Sequence, residues 1–431
     1  MSTMLLAIIL FLVTYLCLLV FTKQRAYIAT VSAALFVILG VLPAGKALGS
    51  IDWNVLMMIA GLMGTAVLFT DSRMPAKLAD IVIEKAPNVK WAIIALTLLA
   101  GLISAFVDNV ATVLMIAPVA VGIFKKLKIS PVGGIIAISV ASNLQGAATL
   151  VGDTTSILLG GAAGLNFNDF FVLQGKMGMF FIVQISALAA TAVLFFLCRH
   201  ENKPASLEKH EVVKDYFPSY MLLGTFVLLI IASFVPAAYK PGFTNGLICM
   251  AVYIAGILRF IIVKKDAGEF LRTLKGIDAL TLLFLAGLFI VIAGVKEAGV
   301  VGEVAKLVVS VSGGNLFLLY TIIVWSSVLL SAVIDNLPYI AALLPVIAGV
   351  AVQPVFAEMG VSPYLLYFGL LSGATLGGNL TRIGASANIA GLAILRREGY
   401  EVGPGQFMRI SVPYTLAAVV VGYALIWLVW A

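Results

Sequence analysis

The sequence has little cysteine, histidine or charge. Its 431 residues include three cysteines and two histidines, and only 11% of the residues are Asp, Glu, Lys or Arg. Cys17, Cys198 and Cys249 lie in or beside apolar runs without CxxC spacing, so neither a disulfide framework nor a metal site is predicted. His200 and His210 fall in a charged stretch outside those runs. A proton crossing a membrane through this protein would therefore use carboxylates, and no cofactor is expected.

Apolar residues dominate the composition instead. They make up 62% of the chain, with a mean hydropathy of +1.12, whereas soluble domains are apolar to roughly half. Runs long enough to cross a hydrocarbon core of about 30 Å recur from end to end. We therefore predict an all-α polytopic membrane protein, whose first run, Met4 to Val20, is a retained helix rather than a signal peptide. The net charge of +7 then reflects loop orientation and not nucleic-acid binding.

The two halves of the chain repeat one another. SAFVDN at 104–109 recurs as SAVIDN at 331–336, and Pro118 recurs as Pro345 at the same spacing. IDW at 51 matches IDA at 277, and TLVGDTTSI at 149–157 matches TRIGASANI at 381–389. The sequence predicts a first membrane repeat over 1–198, a cytoplasmic linker over 199–215 and a second membrane repeat over 216–431.

Loop charges indicate that the repeats have opposite orientations. Cytoplasmic loops are enriched in Lys and Arg. The loop after the first DN pair carries Lys125, Lys126 and Lys128, whereas its counterpart from Val352 to Gly360 has no basic residue. Conversely, the stretch before IDA is basic and the stretch before IDW holds only Lys46. This pattern indicates an inverted repeat, with both chain termini predicted to be extracytoplasmic.

Each repeat is predicted to contain a helical hairpin and a broken helix. Residues 91–124 are flanked by basic loops and must enter and leave on one face, with a DN pair near the turn. Residues 314–352 form the opposed hairpin. The polar, glycine-rich segments 142–156 and 373–388 follow, and irregular backbone at bilayer depth persists only where it lines an enclosed cavity. We expect about ten transmembrane helices, two opposed helical hairpins that are either re-entrant or fully spanning, and two broken helices that share one site.

The motifs DNVATVLMIAP, TLVGDTTSILLG and GGNLTRIGASANIAG resemble the paired signature segments of the arsenite-permease and sodium/proton-antiporter family. That family belongs to the ion transporter superfamily, which also contains divalent-anion/sodium symporters. The resemblance covers nearly the whole chain. It implies opposed re-entrant hairpins, a site at mid-membrane, alternating access and often a homodimer.

The hairpin tips depart from the dicarboxylate branch of that superfamily. There each tip resembles Ser-Asn-Thr, whereas this chain has DNV at 108–110 and DNL at 335–337. The carboxylates of these tips would repel an anion. Each pair of like charges at 4 Å costs about 4 kcal/mol at an effective dielectric near 20. Cation or proton exchange, or a neutral hydroxide such as arsenous or silicic acid, fits better.

Carboxylates are the leading candidates for function. An ionised carboxylate at mid-bilayer costs about 2.5 to 3.5 kcal/mol even on lenient scales, and helix capping alone hardly justifies that cost. The predicted substrate- and ion-binding residues are Asp108, Asn109, Asn143, Thr149, Asp153, Thr154, Asp335, Asn336, Asn379, Thr381, Arg382, Ser386 and Asn388, with a candidate sodium site at Asp108, Asn109, Asp335 and Asn336.

Two of these residues break the repeat symmetry. Asp153 aligns with Ala385, and Arg382 aligns with Leu150. Asp153 is either a site carboxylate or a group that neutralises Arg382. For Arg382, pairing with an aspartate is favoured over direct binding of an oxyanion.

These patterns predict a transporter rather than an enzyme, in a prokaryotic cytoplasmic membrane. Its partners would be a small ion or solute and the lipid bilayer. We expect a proton- or sodium-coupled antiporter, for sodium or for a metalloid such as arsenite or silicic acid. A sodium-coupled anion or dicarboxylate symporter is the alternative, and a passive channel stays open. An intramembrane aspartyl protease also needs two membrane aspartates, but the symmetric DN pair would have no role in one.

Overall fold

The computed structural model describes residues 2–199, 201, 204, 212–263, 273–353, 356 and 360–431. Within these ranges the chain is helical apart from its loops and one short β hairpin. In that hairpin β1 (Val172–Leu173) pairs antiparallel with β2 (Lys176–Met177). The predicted all-α membrane class is confirmed. His200, His210 and most of the predicted linker 199–215 lie outside the described residues.

The helices of the second half repeat the order of those in the first half. The first half contains α1 (Thr3–Val20), α2 (Arg25–Ile38), α3 (Ala44–Ala47), α4 (Trp53–Asp71), α5 (Met74–Glu84), α6 (Val89–Ser104), α7 (Asn109–Lys126), α8 (Val132–Gln145), α9 (Thr154–Ala163) and α10 (Met179–Leu197). The second half contains α11 (Phe217–Ser233), α12 (Thr244–Val263), α13 (Ala279–Glu297), α14 (Val300–Val311), α15 (Leu316–Ser331), α16 (Asn336–Ala351), α17 (Tyr364–Gly377), α18 (Ser386–Arg397) and α19 (Pro404–Trp430).

Equivalent side chains start equivalent helices in the two halves. The carboxylate of Asp52 accepts a hydrogen bond from the third residue of α4, and the carboxylate of Asp278 does the same in α13. Asn88 and Asn315 cap α6 and α15 in the same way. Asp and Asn are favoured at this position because the side chain satisfies an amide that lacks a partner within the helix.

The number of apolar helices agrees with the predicted all-α polytopic class. Seven helices of the described residues are long and apolar enough to cross a bilayer, namely α1, α4, α7, α10, α12, α13 and α19. One of them, α7, is a hairpin arm. The other six, together with the shorter helices α2 and α11 and the broken spans α8–α9 and α17–α18, give the expected set of about ten. The amphipathic helices α5 and α14 precede the hairpins, and α14 meets α15 at a bend of 116°.

Two equivalent helix pairs join the halves. Helix α4 packs against α12, and its counterpart α13 packs against α2. A Cβ added at Gly61 would lie 2.4 Å from the carbonyl carbon of Cys249, and one added at Gly287 would lie 2.8 Å from that of Ala29. Real Cβ atoms do not approach so closely, so glycine is required at both crossings. We call these four helices the scaffold.

The hairpins and broken helices form a second unit, which we call the core. It contains α6–α9 and α15–α18. Helix α8 packs on both arms of the first hairpin and α17 on both arms of the second. Across the halves, α9 packs against α16, and α18 packs against α7 and α8. Helices α10 and α19 pack on each other and along α8, and α19 also packs along α17. The two repeats are thus interlocked within one packed body.

Candidate functional site

A cavity of about 620 Å³ lies between the core and the scaffold. Both hairpin tips and both helix breaks line it from the core, while α2, α4 and α13 line it from the scaffold. Of the thirteen predicted site residues, the structure brings together seven in this lining, namely Asp108, Asn109, Asp153, Thr154, Asp335, Asn336 and Ser386.

The lining carries more negative than positive charge. In addition to the two tip aspartates, the described lining residues include Asp71, Asp153 and Asp278. The basic residues among them are Arg25 and Lys275. Five aspartates against two basic side chains, in a cleft with low-dielectric walls, attract cations and repel free anions.

The first hairpin tip places a carboxylate directly on a helix end. Asp108 precedes α7, and its Oδ1 accepts hydrogen bonds from the amides of Val110 at 3.0 Å and Ala111 at 3.1 Å. The neighbouring Asn109 donates from Nδ2 to Oδ1 of Asn143 at 2.8 Å. Asp108 makes no ion pair with any described residue. The cap orients its carboxylate while leaving Oδ2 available to the cavity.

The second hairpin tip holds its carboxylate differently. Asp335 precedes α16 but makes no side-chain capping bond to it. Its Oδ2 instead accepts a hydrogen bond from Nη1 of Arg25 at 2.8 Å and one from the hydroxyl of Ser386 at 3.2 Å. The Arg25 and Asp335 side chains are 30% and 26% exposed, so the pair is open to the cavity.

A short polar chain fixes Arg25 in this position. Its Nη2 donates to Oγ1 of Thr281 at 3.1 Å, and that hydroxyl donates to Oδ2 of Asp278 at 2.6 Å. The guanidinium carbon lies 5.7 Å from the ring centroid of Phe284. The arginine therefore links α2 and α13 of the scaffold to the second tip of the core.

The first helix break contributes a third carboxylate. Asp153 starts α9, where its Oδ1 accepts from the amide of Thr154 at 2.8 Å and its Oδ2 accepts from the hydroxyl of Thr155 at 2.7 Å. Nδ2 of Asn336, from the second tip, lies 3.5 Å from the same Oδ2. Asp153 is 6% exposed. It therefore connects the break of one half with the tip of the other.

Two predicted asparagines lie behind the cavity and join the halves. Nδ2 of Asn143 donates to the carbonyl of Thr375 at 2.7 Å and to Oδ1 of Asn379 at 3.0 Å. Nδ2 of Asn379 donates back to the carbonyl of Val140 at 2.8 Å. Both side chains are fully buried. Their position favours a role in holding the two breaks together.

The predicted threonines of the breaks also bond to backbone. The hydroxyl of Thr149 donates to the carbonyl of Ala105, and that of Thr381 donates to the equivalent carbonyl of Ala332. Nδ2 of Asn388 donates to the carbonyls of Gly378 and Thr381, at 3.0 and 2.9 Å. Asn388 thus satisfies carbonyls of the broken helix itself, whereas the two threonines satisfy carbonyls at the end of the first arm of each hairpin. None of the three residues lines the cavity.

The predicted pairing of Arg382 with an aspartate is wrong. Its Nη1 donates to the carbonyl of Val402 at 2.9 Å, and the residue does not line the cavity. The segment before α19 presents this carbonyl close to the second break, so the guanidinium is satisfied away from the carboxylates. Asp153 accordingly does not serve to neutralise Arg382, and Arg25 is the arginine that pairs with a tip.

Sequence reasoning missed the scaffold side of the site. Asp71, Asp278, Thr281, Arg25 and Lys275 were not among the candidates. One signal was available for Asp278. It lies in IDA, which matches IDW of the first repeat, and in both copies the aspartate comes directly before an apolar segment. For Arg25 the signal was weaker, since a basic residue between two apolar runs is ordinary in a cytoplasmic loop.

Known proteins similar to this chain are described as transporters or as membrane proteins. The sequence profile of a family described as "Citrate transporter" matches residues 8–366. The chain is 32% identical over 416 residues to an uncharacterized transporter of Mycobacterium bovis, with 94% of each chain covered. It is 30% identical over 436 residues to a 46 kDa membrane protein of Mycobacterium leprae, with 98% of each covered.

A solved structure has the same fold. The crystal structure of the Alcanivorax borkumensis YdaH transporter, described as having an unusual topology, matches with a TM-score of 0.60 and 16% identity, over 95% of this chain and 97% of that chain. Together the comparisons support a membrane transporter of the ion transporter superfamily rather than an enzyme. The finer resemblance to the arsenite-permease and antiporter branch, and the homodimer, stay predictions.

Proposed function

Because this chain belongs to the citrate transporter family, we propose that it is a secondary active transporter of a small ion or solute. In this proposal a proton or sodium gradient drives an antiporter by alternating access. The observation that carries it is the convergence of both DN tips and both helix breaks on one acidic cavity. Duplicated, inverted elements around a single site favour two mirrored conformations that expose it to either face.

The charge of the cavity supports a cationic or neutral cargo. Among the described lining residues, a free anion would meet up to five aspartates, and Arg25 and Lys275 offset two of these charges. Each like-charged pair at 4 Å costs about 4 kcal/mol at an effective dielectric near 20. A cation or a proton is attracted by the carboxylates of the lining. A neutral hydroxide carries no charge for them to repel.

A second candidate cargo follows from the two basic side chains. The matching family is described as a citrate transporter family. Arg25 and Lys275 line the same cavity and could each bind a carboxylate group of such a cargo. An anion of this kind would have to enter together with cations that compensate the aspartates. The symport of a carboxylate with a cation is therefore the alternative to antiport.

Several residues of the cavity lining lie at the predicted cytoplasmic ends of their helices. Lys275 and Gly276 follow the basic stretch before IDA, and Asp71 ends α4 just before the basic stretch 73–90. On the opposite side, the residue equivalent to Asp71 in the second repeat is Glu297, which pairs with Lys46 at 2.7 Å. These positions support a conformation in which the cavity is reached from the cytoplasm.

Flux into proteoliposomes tests the proposal. Purified protein would be reconstituted with a lumenal pH dye, and sodium, citrate with and without Mg²⁺, succinate, arsenite and silicic acid would be added in turn. We expect one cargo to move protons, or to accumulate against its gradient when a sodium or proton gradient is imposed. Protein-free vesicles are the control. Flux that only ever runs down its own gradient would indicate a channel and overturn the proposal.

A further inference from the structure

The two tip aspartates occupy equivalent positions in the repeats but have different partners. Asp108 accepts two backbone amides and is without an ion pair among the described residues. Asp335 accepts a guanidinium and a hydroxyl, and it makes no capping bond to its helix. One tip therefore presents a carboxylate whose charge is balanced only by helix-end amides. The other presents a carboxylate that already holds a cation.

The repeat does not supply the arginine. The matched glycine crossings pair Ala29 of α2 with Cys249 of α12, so the position equivalent to Arg25 is Asn245. Likewise Thr281, which holds Arg25, is equivalent to Val55, since IDW and IDA align. An arginine and its hydroxyl support are thus present at one tip and missing at the position related to it by symmetry.

The place of Arg25 on its own helix argues for the same conclusion. It is the first residue of α2, where the helix dipole disfavours a positive side chain. Its guanidinium points to the carboxylate of Asp335, to Thr281 and over the ring of Phe284. Those contacts, rather than the helix that carries it, account for the position of the charge.

An ion pair of this geometry changes which tip can take up a cation. A sodium ion or proton arriving at Asp335 meets a carboxylate whose charge is already balanced by a guanidinium, which is itself held by Thr281 and the ring of Phe284. At Asp108 it meets a carboxylate that has no ion-pair partner among the described residues. The exchange of a cation with solvent is therefore easier at the first tip.

We infer that Arg25 is the built-in counter-cation of Asp335, and that Asp108 is the tip carboxylate that binds the exchangeable cation. Arg25 is a positioning residue in this scheme. It keeps the second tip neutral, so that the transport cycle loads and unloads a cation at the first tip. The inference rests on the proposed cation-coupled transport and specifies which of its two carboxylates does the coupling.

A double-mutant cycle in proteoliposomes tests this assignment. The readout is the initial rate of sodium-driven lumenal pH change, measured from pH 6 to 9. Asp335→Asn leaves Arg25 unpaired in the cavity, where it repels a cation, and we expect the rate to fall about tenfold. Adding Arg25→Gln removes that repulsion and should raise the rate of Asp335→Asn by about fivefold or more. Arg25→Gln should give no rescue of Asp108→Asn.

The single variant Arg25→Gln provides an independent measurement. It frees the carboxylate of Asp335, so the pH profile of the rate should acquire a second ionisation that is missing from the wild type and from the double variant. Arg25→Lys, which keeps the charge, should retain the wild-type profile. Lys306→Gln with Glu303→Gln, which removes an exposed ion pair on α14, is the matched control and should behave as wild type.

The outcomes separate the inference from the proposed function. If the wild type moves no cargo against a gradient under any condition of the screen, the proposed function fails and the inference falls with it. If the wild type is active but Arg25→Gln rescues both tips equally, or leaves the pH profile unchanged and does not rescue Asp335→Asn, the assignment is wrong while the transporter stands. Size-exclusion profiles in detergent establish that each variant is folded.

Discussion

The two hairpin tips have the same sequence pattern and the same backbone position, but different electrostatic partners. At the first tip, Asp108 caps its helix and faces the cavity. At the second, Asp335 is bound by Arg25 from the scaffold. A duplicated fold therefore does not imply duplicated chemistry. Once two copies of a motif share one site, a single additional side chain from outside the motif is enough to give them different tasks.

What the halves share is the backbone framework beneath the tips. In each half a threonine of the break bonds to the end of the first hairpin arm, at the carbonyls of Ala105 and Ala332. Ser104 and Ser331 bond to equivalent carbonyls of α8 and α17, at 2.8 and 2.6 Å. These contacts are the symmetric part of the site. Substitutions there should act alike in both halves, whereas substitutions at the tips should not.

The largest difference is expected from Asp108→Asn. Asparagine can still cap α7 through its carbonyl oxygen but cannot carry the charge. Loss of a charged ligand is worth about 1.5 to 3 kcal/mol, so the rate of gradient-driven flux should fall about a hundredfold. Asp52→Asn is the matched control, because Asp52 caps α4 in the same manner and is not part of the cavity lining. Equal losses in both variants would contradict a special role for the tip.

Glycine substitutions in the breaks test the shared framework. A Cβ at Gly152 would lie 2.8 Å from the carbonyl oxygens of Ala105 and Gly146, and one at Gly384 would lie 2.7 Å from that of Gly378. Gly152→Ala and Gly384→Ala should each destabilise the fold by about 1 to 3 kcal/mol. The apparent melting temperature in detergent measures this.

Gly152→Ala and Gly384→Ala should lower the apparent melting temperature to a similar extent. Gly224→Ala in α11, where an added Cβ meets nothing within 4 Å, is the control and should leave it unchanged or slightly higher. A large effect at only one of the two breaks would show that the framework is not symmetric.

The tip asparagines should differ to a smaller extent. Asn109 donates to Asn143 at 2.8 Å, whereas the amide of Asn336 lies at the longer distance of 3.5 Å from both Asn143 and Asp153. We therefore expect Asn109→Ala to reduce flux about tenfold and Asn336→Ala about threefold, in proportion to the hydrogen bonds lost. Rates in proteoliposomes at matched protein density give the comparison. The reverse order would place the important amide at the second tip.

The smallest expected effect is that of Thr281→Val. Valine is the residue at the equivalent position, Val55, and it removes both the acceptor for Arg25 and the donor to Asp278. With the direct ion pair intact, flux should fall only about threefold. Thr191→Val, whose hydroxyl bonds only to its own helix at Ala187, is the control. A loss as severe as that of Asp108→Asn would mean that Thr281 does more than support Arg25.

The sequence was sufficient to predict the symmetric part of this molecule. Hairpins, breaks and tips recur at nearly constant spacing, so the repeat itself revealed them, and Asp108 and Asp335 were found to line one cavity as their duplication suggested. The same reasoning placed Asn143 and Thr149 among the ligands, but the structure gives them backbone and inter-repeat bonds instead. Polar residues in a broken helix satisfy the break before they are available to a substrate.

The asymmetric part could not be predicted in this way. Arg25 and Asp335 are 310 residues apart in sequence, and they meet because α13 packs against both α2 and α16. Arg382 was the basic residue within the polar segments and therefore the obvious partner for a carboxylate. Its hydrogen bond to Val402 depends on the path of the chain before α19, which no local pattern specifies.

The close contacts at Gly152 and Gly384 have a mechanical consequence. Because each break touches the carbonyls at the end of its own hairpin arm, and the breaks pack across the halves, neither hairpin can swing alone like a flap. If the site opens to the opposite face, we therefore expect the eight core helices to move together relative to the scaffold. In the conformation described, Arg25 bonds both Thr281 of the scaffold and Asp335 of the core, so this one side chain ties the two units together at the second tip.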